Sequence, residues 1–169
     1  MESPPRPQRI LIVGDAGRGK TSLAKKLAKK FSLPSHSMDS FLWKVKFTEE
    51  HDRTYTLQHI EKIYSTPEWI VEGTTRHLVT PGLQRAELII FLRFHNIVAQ
   101  MIILLFRHIT KREESTKDLF RLLRHVVYKR YGLGYMKNEI TLPVLLKPFT
   151  HKVVTLSSFD EMKKFVNVS

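Results

Sequence analysis

Cysteine is missing from the 169-residue chain. Its absence excludes disulfides, zinc–thiolate sites and a cysteine nucleophile, and it suits a reducing cytoplasm. There is no unbroken membrane-length apolar run. The nearest approach, Leu88 to Phe106, is interrupted by Arg93, His95, Asn96 and Gln100 and reads better as a buried strand followed by a buried helix. No secretory signal is visible. The start, Met1-Glu-Ser-Pro-Pro-Arg-Pro, is polar and proline-rich, and a disordered leader is expected over residues 1–8. No internal repeat or interdomain linker divides the remainder, so residues 9–169 are expected to form a single domain with a sizeable core. The eight histidines, among them His36, His51, His59 and His77, show no metal-ligand spacing. Negative charge is also scarce: 16 Asp and Glu stand against 28 Lys and Arg, a net +12. Residues 107–152 alone hold eleven Lys/Arg and four Asp/Glu. Such an excess suits an electrostatic funnel for an anionic substrate, a nucleic-acid surface or a plain solvated basic face. Lys25, Lys26, Lys29 and Lys30 read as the exposed side of a helix.

Against these absences stands one strong motif. Gly14-Asp15-Ala16-Gly17-Arg18-Gly19-Lys20-Thr21 fills the phosphate-loop pattern G-x-x-x-x-G-K-[ST]. Glycines let backbone N–H groups converge on phosphate oxygens where a Cβ would collide. Lys20 is placed to reach β- and γ-phosphates, the Thr21 hydroxyl to hold Mg²⁺, and the loop residues through Ser22 to surround the anion at a helix N-terminus. The context agrees. The apolar run Arg9–Val13 precedes the loop as a buried parallel strand should. After it, Leu23, Leu27 and Phe31 recur at helical spacing. A nucleoside triphosphate with its metal is the expected ligand.

Strand patterns fall at Arg9–Val13, Ser35–Met38, Trp69–Gly73, Leu88–Arg93 and Lys152–Leu156. Helical patterns fall at Thr21–Phe31, Tyr55–Ser65, Asn96–Thr110, Lys117–Tyr131 and Phe159–Val166, while residues 132–150 suit a short helix or a packed loop. Alternation of this kind predicts an α/β fold with a parallel sheet wrapped by helices, whose ligands gather at the carboxyl ends of the strands. Asp39, Glu72 with Arg76, and Arg93 stand at such ends. Asp39 also suits the cap of a helix starting at Phe41. Trp43 and Trp69 read as core residues.

The succession Ser37-Met-Asp-Ser-Phe-Leu-Trp43, Trp69-Ile-Val-Glu-Gly-Thr-Thr75 and Ala86-Glu-Leu-Ile-Ile-Phe-Leu92, placed after the phosphate loop, resembles the adenylate-kinase-related P-loop family of bacterial DNA topology modulation proteins. It is similar, more distantly, to shikimate kinases and nucleoside monophosphate kinases. The resemblance implies a three-layer P-loop NTPase fold with a five-stranded parallel sheet, ATP with Mg²⁺, and a nucleotide or small phosphate acceptor. It implies that Asp39 orients or deprotonates the acceptor hydroxyl. Glu72, where the family has Asp before Gly, would hold the magnesium shell or polarise the nucleophile. Arg107 matches a basic position at the edge of a lid over ATP, here at about 108–118, with Arg112 beyond it. One of these two arginines is expected to stabilise the transferring phosphoryl group, and Arg76 is a candidate for an acceptor anion. The chain departs from the family at Glu72, at Arg93, which stands where an acid is usual, and around Lys111–Lys117, which lacks an Arg-Pro-Asp cluster. The expected activity is therefore that of an ATP-dependent phosphotransferase. The alternative is a nucleotide-gated nucleic-acid-binding protein, resting on the net charge and on Arg121, Arg124, His125 and Tyr128 in Lys117–Tyr131. A small GTPase is disfavoured, because no Asn-Lys-x-Asp motif occurs and no Asp-x-x-Gly follows the third strand.

Overall fold

The computed structural model describes residues 6–14, 17–45, 49–93 and 140–168, with residues 102, 105, 106, 120, 123, 124, 127 and 128 between the last two stretches. Strand β1 (Arg9–Gly14) lies at the centre. Its Ile10, Leu11, Ile12 and Val13 are all fully buried, so neither face of the strand meets water. Strand β5 (Trp69–Gly73) pairs with it on one side and β6 (Leu88–Leu92) on the other, both parallel. The edges are β2 (Ser35–Ser37) beside β5 and β7 (Val153–Leu156) beside β6, again parallel. The five-stranded order is β2-β5-β1-β6-β7. Between β5 and β6 the chain crosses from one side of β1 to the other. The carboxyl ends of β1 and β5 border the crevice that such a crossing opens.

Side chains alternate across the sheet and feed two cores. Leu11, Val13, Val71, Ile89 and Phe91 point to one layer, formed with α2 (Asp39–Leu42), α3 (Arg53–Tyr64), α4 (Arg76–Arg85) and α5 (Leu142–Leu146). Ile10, Ile12, Ile70, Ile90 and Leu92 point to the other, formed with α1 (Lys20–Phe31) and α6 (Phe159–Val168). This is the expected three-layer α/β architecture. Each fully buried aliphatic side chain contributes about 1.5–3 kcal/mol, so the β1 residues alone match the usual net stability of a domain. The half-exposed Arg9–Glu87 pair at 2.7 Å contributes about 0–1 kcal/mol and decides little.

Helix α1 buries Leu23, Ala24, Leu27 and Phe31, and its Lys25, Lys26, Lys29 and Lys30 face solvent as expected. Helix α3 starts at Arg53, two residues before the pattern placed it, because the Asp52 side chain caps it by accepting from the Thr54 N–H at 2.9 Å. Helix α4 was not anticipated. Pro81 and Gly82 break its pattern in sequence, yet both sit inside it. Gly82 lets the Tyr64 ring cross α4: a Cβ there would lie 2.6 Å from the Tyr64 hydroxyl oxygen, and that hydroxyl donates to the Leu78 carbonyl at 3.0 Å. Pro81 has no N–H for the His77 carbonyl, but the two lie on the solvent side, opposite the buried Leu78, Val79, Gly82 and Leu83, where water can substitute.

Residues 140–152 hold α5 and a 3-10 helix (Lys147–Lys152), the short-helix reading. A hairpin of β3 (Trp43–Val45) and β4 (Glu49–Glu50) follows α2 and was not anticipated either. Gln8, assigned to the leader, is held on both sides: its N–H donates to Glu87 Oε2 at 2.7 Å and its carbonyl accepts from the Trp69 N–H at 2.9 Å. The expected lid at 108–118 lies outside the described residues, as does most of Asn96–Thr110 and Lys117–Tyr131.

Candidate active site

The site begins where β1 ends. Gly14 adopts φ 151°, and Gly17 and Gly19 adopt φ 73° and 79°, conformations that side chains disfavour. Gly14 is also a packing requirement, because a Cβ on it would stand 2.5 Å from the Leu92 carbonyl oxygen. Asp15 and Ala16 lie outside the described residues.

Gly19 is the N-cap of α1 and supplies no side-chain acceptor, so the first N–H groups of the helix are left for another partner. The first helical residue is Lys20, and no acid occupies the first turn. A cation at that end opposes the helix dipole by about 0.3–1 kcal/mol, which makes Lys20 a poor choice for helix stability alone. Helix α4 repeats the arrangement: Arg76 is its first residue, again without an acid in the first turn. Both helices follow strands of the parallel sheet, so both cations stand at its carboxyl edge.

The decisive contact is between Thr21 and Glu72. The Thr21 hydroxyl donates to Glu72 Oε1 at 2.9 Å, across 51 positions of sequence. Glu72 is 4% exposed and is the penultimate residue of β5, flanked by β1 and β2, where it pairs with Ile12 and Ser37. A carboxylate buried in the sheet is costly unless it is hydrogen-bonded, and the hydroxyl of α1 meets part of that need. The Glu72 carbonyl accepts from the Met38 N–H at 2.9 Å, which fixes the chain just before Asp39. Gly73 makes this junction possible, since a Cβ there would lie 2.7 Å from both Cβ and Cγ of Met38. Asp39 is exposed. It does not cap a helix at Phe41: the helix starts at Asp39 itself, Met38 holds the N-cap position, and no side-chain cap bond forms there. The structure thus corrects the capping reading and leaves Asp39 at the rim of the crevice.

Lys20, Thr21, Glu72, Asp39 and Arg76 therefore share the carboxyl edge. Ser22 is exposed on α1, and Arg93 follows β6, where its N–H donates to the Leu156 carbonyl at 3.0 Å. Arg18 is 2% exposed, a buried arginine that the sequence did not signal. Trp69 is fully buried and packs at a tilt against Tyr64, with ring centroids 4.8 Å apart, and Trp43 is half-buried. Arg107 and Arg112 lie outside the described residues.

The surroundings of Asp39 contain a further group that the motifs missed. The rings of His51 and Tyr55 meet at a tilt with centroids 4.6 Å apart, and those of Phe41 and His59 do the same. Burial, and secondarily the neighbouring His59, hold His36 below its usual range. The four-residue spacing of His51, Tyr55 and His59 was the available signal.

Comparison with known proteins assigns the architecture. No family model matches the sequence. An 80-residue stretch is 32% identical to an adenylate kinase of Clavibacter michiganensis subsp. michiganensis, covering 47% of this chain and 38% of that protein. The chain thus matches well under half the length of that relative. In three dimensions it resembles a gluconokinase from Sinorhizobium meliloti 1021 over 95% of this chain and 88% of the other, with a TM-score of 0.54 and 14% identity. A shikimate kinase from Acinetobacter baumannii in complex with shikimate gives 0.54 and 15% over 94% and 90%. A shikimate kinase from Bacteroides thetaiotaomicron gives 0.52 and 13% over 96% of both chains. The chain has the P-loop kinase fold. Within that fold, strand β1, the glycine turn and α1 occupy the order on which a phosphate cradle depends. Among the described residues, no helix is long and apolar enough to cross a membrane.

Proposed function

We propose that the protein is an ATP-dependent phosphotransferase acting on a nucleotide or a small hydroxyl- or phosphate-bearing acceptor. The observation that carries this reading is the Thr21–Glu72 contact at 2.9 Å, formed beside the left-handed Gly17 and Gly19 and the uncapped start of α1. A glycine turn serving only as a turn needs neither Lys20 nor a buried carboxylate aimed at the following threonine.

The residues present suit Mg-ATP. Gly14, Gly17 and Gly19 keep Cβ atoms out of the cradle, and the N–H groups at the head of α1 would point to phosphate oxygens, as helix N-termini do. Lys20 would hold the β- and γ-phosphates. Thr21 would hold the metal, with Glu72 orienting the Thr21 hydroxyl and the water around the ion. A magnesium ion held by these residues would offset the charge of the phosphate oxygens. Asp39 would position the acceptor hydroxyl and accept its proton, and Arg76 would hold an acceptor anion. Arg107 or Arg112 would stabilise charge on the departing γ-phosphoryl group; that assignment rests on sequence, as does the finer resemblance to topology modulation proteins. Preorganised cations and amides of this kind supply most of the catalysis in phosphoryl transfer.

ATP turnover against a panel of nucleoside monophosphates, small hydroxy acids, sugars and oligonucleotides tests the proposal, with Lys20→Ala as the control. Turnover stimulated by one small acceptor and lost in Lys20→Ala is the expected result. Absence of ATP binding in the parent protein overturns the reading. Stimulation by oligonucleotides alone, collapsing with salt, transfers it to the nucleic-acid alternative.

A further inference from the structure

Away from the crevice, α3 and α4 leave an open groove of about 420 Å³ between them. It is lined by Arg53 and Leu57 from α3 and by His77, Thr80, Pro81 and Gln84 from α4. The α4 residues lie on the helix face opposite Leu78, Val79, Gly82 and Leu83, which point into the core. The groove is therefore on the outside of the helical layer, separate from the Lys20–Thr21–Glu72 centre on the sheet edge.

The Thr80 hydroxyl donates to the Arg76 carbonyl at 2.8 Å, but the other polar side chains of the groove are uncommitted among the described residues. Among the described residues, no carboxylate lies within ion-pair distance of the Arg53 guanidinium, although exposed cations elsewhere do find partners, as Lys44 with Glu49 and Arg85 with Glu61. The Gln84 side chain makes no hydrogen bond among the described residues; only its carbonyl is used, by Lys152 at 3.2 Å. The buried His77 Nε2 likewise has no partner among them. Leu57 and Pro81 supply an apolar wall between these groups.

We propose that this groove is a second ligand site, taking a small organic anion whose carboxylate or phosphate pairs with Arg53 and whose apolar body lies over Leu57 and Pro81. Arg53 offers the charge and fork geometry for either anion. Gln84 and His77 supply hydrogen bonds that fix orientation. A concave site with an apolar wall and a few convergent polar groups is the ordinary form of a small-molecule pocket.

The same arrangement provides a readout. Burial, and after it the Arg53 charge, hold His77 below its usual range, while Glu50 of β4 pulls the other way. An anion seated on Arg53 cancels the repulsion between that charge and the protonated imidazole. Binding must therefore raise the His77 pKa, and by linkage the anion binds more tightly once His77 is protonated. A rise of one unit corresponds to roughly tenfold tighter binding on the acid side.

The test is a titration of the His77 imidazole by nuclear magnetic resonance in the full chain, with phenyl phosphate, benzoate or inorganic phosphate added, in Lys20→Ala so that the phosphate loop does not contribute. The expected result is a rise in the His77 pKa with phenyl phosphate or benzoate, lost in Arg53→Gln and partly kept in Arg53→Lys. Which of the two probes shifts it identifies the anion. An unchanged His77, a rise equal in Arg53→Gln, or a rise as large with inorganic phosphate as with the aromatic anions overturns the proposal.

Discussion

Thr21 and Glu72 meet at 2.9 Å, and this one hydrogen bond ties the first turn of α1 to the end of β5. It joins two parts of the site that the chain itself keeps far apart. Replacing Thr21 by Val leaves Glu72, 4% exposed, without its hydroxyl partner. The expected cost is about 1–3 kcal/mol, read as a fall of roughly 2–10 °C in Tm by calorimetry. Glu72→Gln keeps the shape and an oxygen acceptor, so it should disturb Tm less than Thr21→Val while shifting the magnesium dependence of turnover. A magnesium dependence identical to the parent's would make Glu72 a structural residue only.

Lys20 stands at a helix end where its charge is unfavourable. Lys20→Ala should therefore abolish nucleotide binding, measured by calorimetric titration, yet raise the stability of the ligand-free protein by about 0.3–1 kcal/mol. A loss of stability instead would assign Lys20 to the fold.

Gly73 has no room for a methyl group against Met38, whose Cβ and Cγ would lie 2.7 Å away. Gly73→Ala must push Met38, and with it the adjacent Asp39, off its position. The expected destabilisation is about 1–3 kcal/mol in chemical denaturation. Turnover should fall further than ATP affinity if Asp39 has its proposed role at the acceptor. Unchanged kinetics would detach Asp39 from the reaction.

His36 and His77 both titrate below their usual value of 6.5, each mainly because burial opposes the charged form. The unfolded chain then binds more protons than the native one over the interval between the lowered pKa values and 6.5. Stability is complete above that interval and declines as pH falls through it. Tm recorded from pH 8 to pH 5 should drop, and the drop should shrink in His36→Gln and again in the double variant with His77→Gln. A pH profile unaltered by both substitutions would place the acid sensitivity elsewhere.

The sheet was legible because burial on both faces leaves a plain signature. Ile10–Val13, Trp69–Val71 and Leu88–Leu92 are continuous apolar runs, and each of the five strands of the main sheet agrees with the sequence expectation to within one residue at either end. Lys20, Thr21 and the glycines were legible because a phosphate cradle fixes both residue type and spacing. Helix α4 was hidden because its two breakers, Pro81 and Gly82, answer to tertiary packing: Gly82 makes room for Tyr64, and Pro81 faces water. The short α2 and the β3–β4 hairpin carry too few residues for a period to show. The role of Gly73 depends on Met38, a neighbour across the sheet edge, and no local pattern records it. The burial of Arg18 is likewise a matter of what surrounds it rather than of its place in a motif.

Central placement of β1 has a consequence for how the domain would respond to its nucleotide. Arg9 pairs with Trp69 and Ile10 with Leu88, so the strand that carries the glycine turn is clamped by partners supplied much later in the chain. Until both have docked, Gly14 has no Leu92 to rest against and Thr21 has no Glu72. The cradle is thus a property of the finished sheet, and the unfolded chain has nothing comparable to offer a triphosphate. Nucleotide at a hundred times its Kd would then add about 2.7 kcal/mol to the whole unfolding transition. A triphosphate would in this way act as a keystone for the entire domain, and a thermal shift on adding it would report global stability rather than the ordering of one turn.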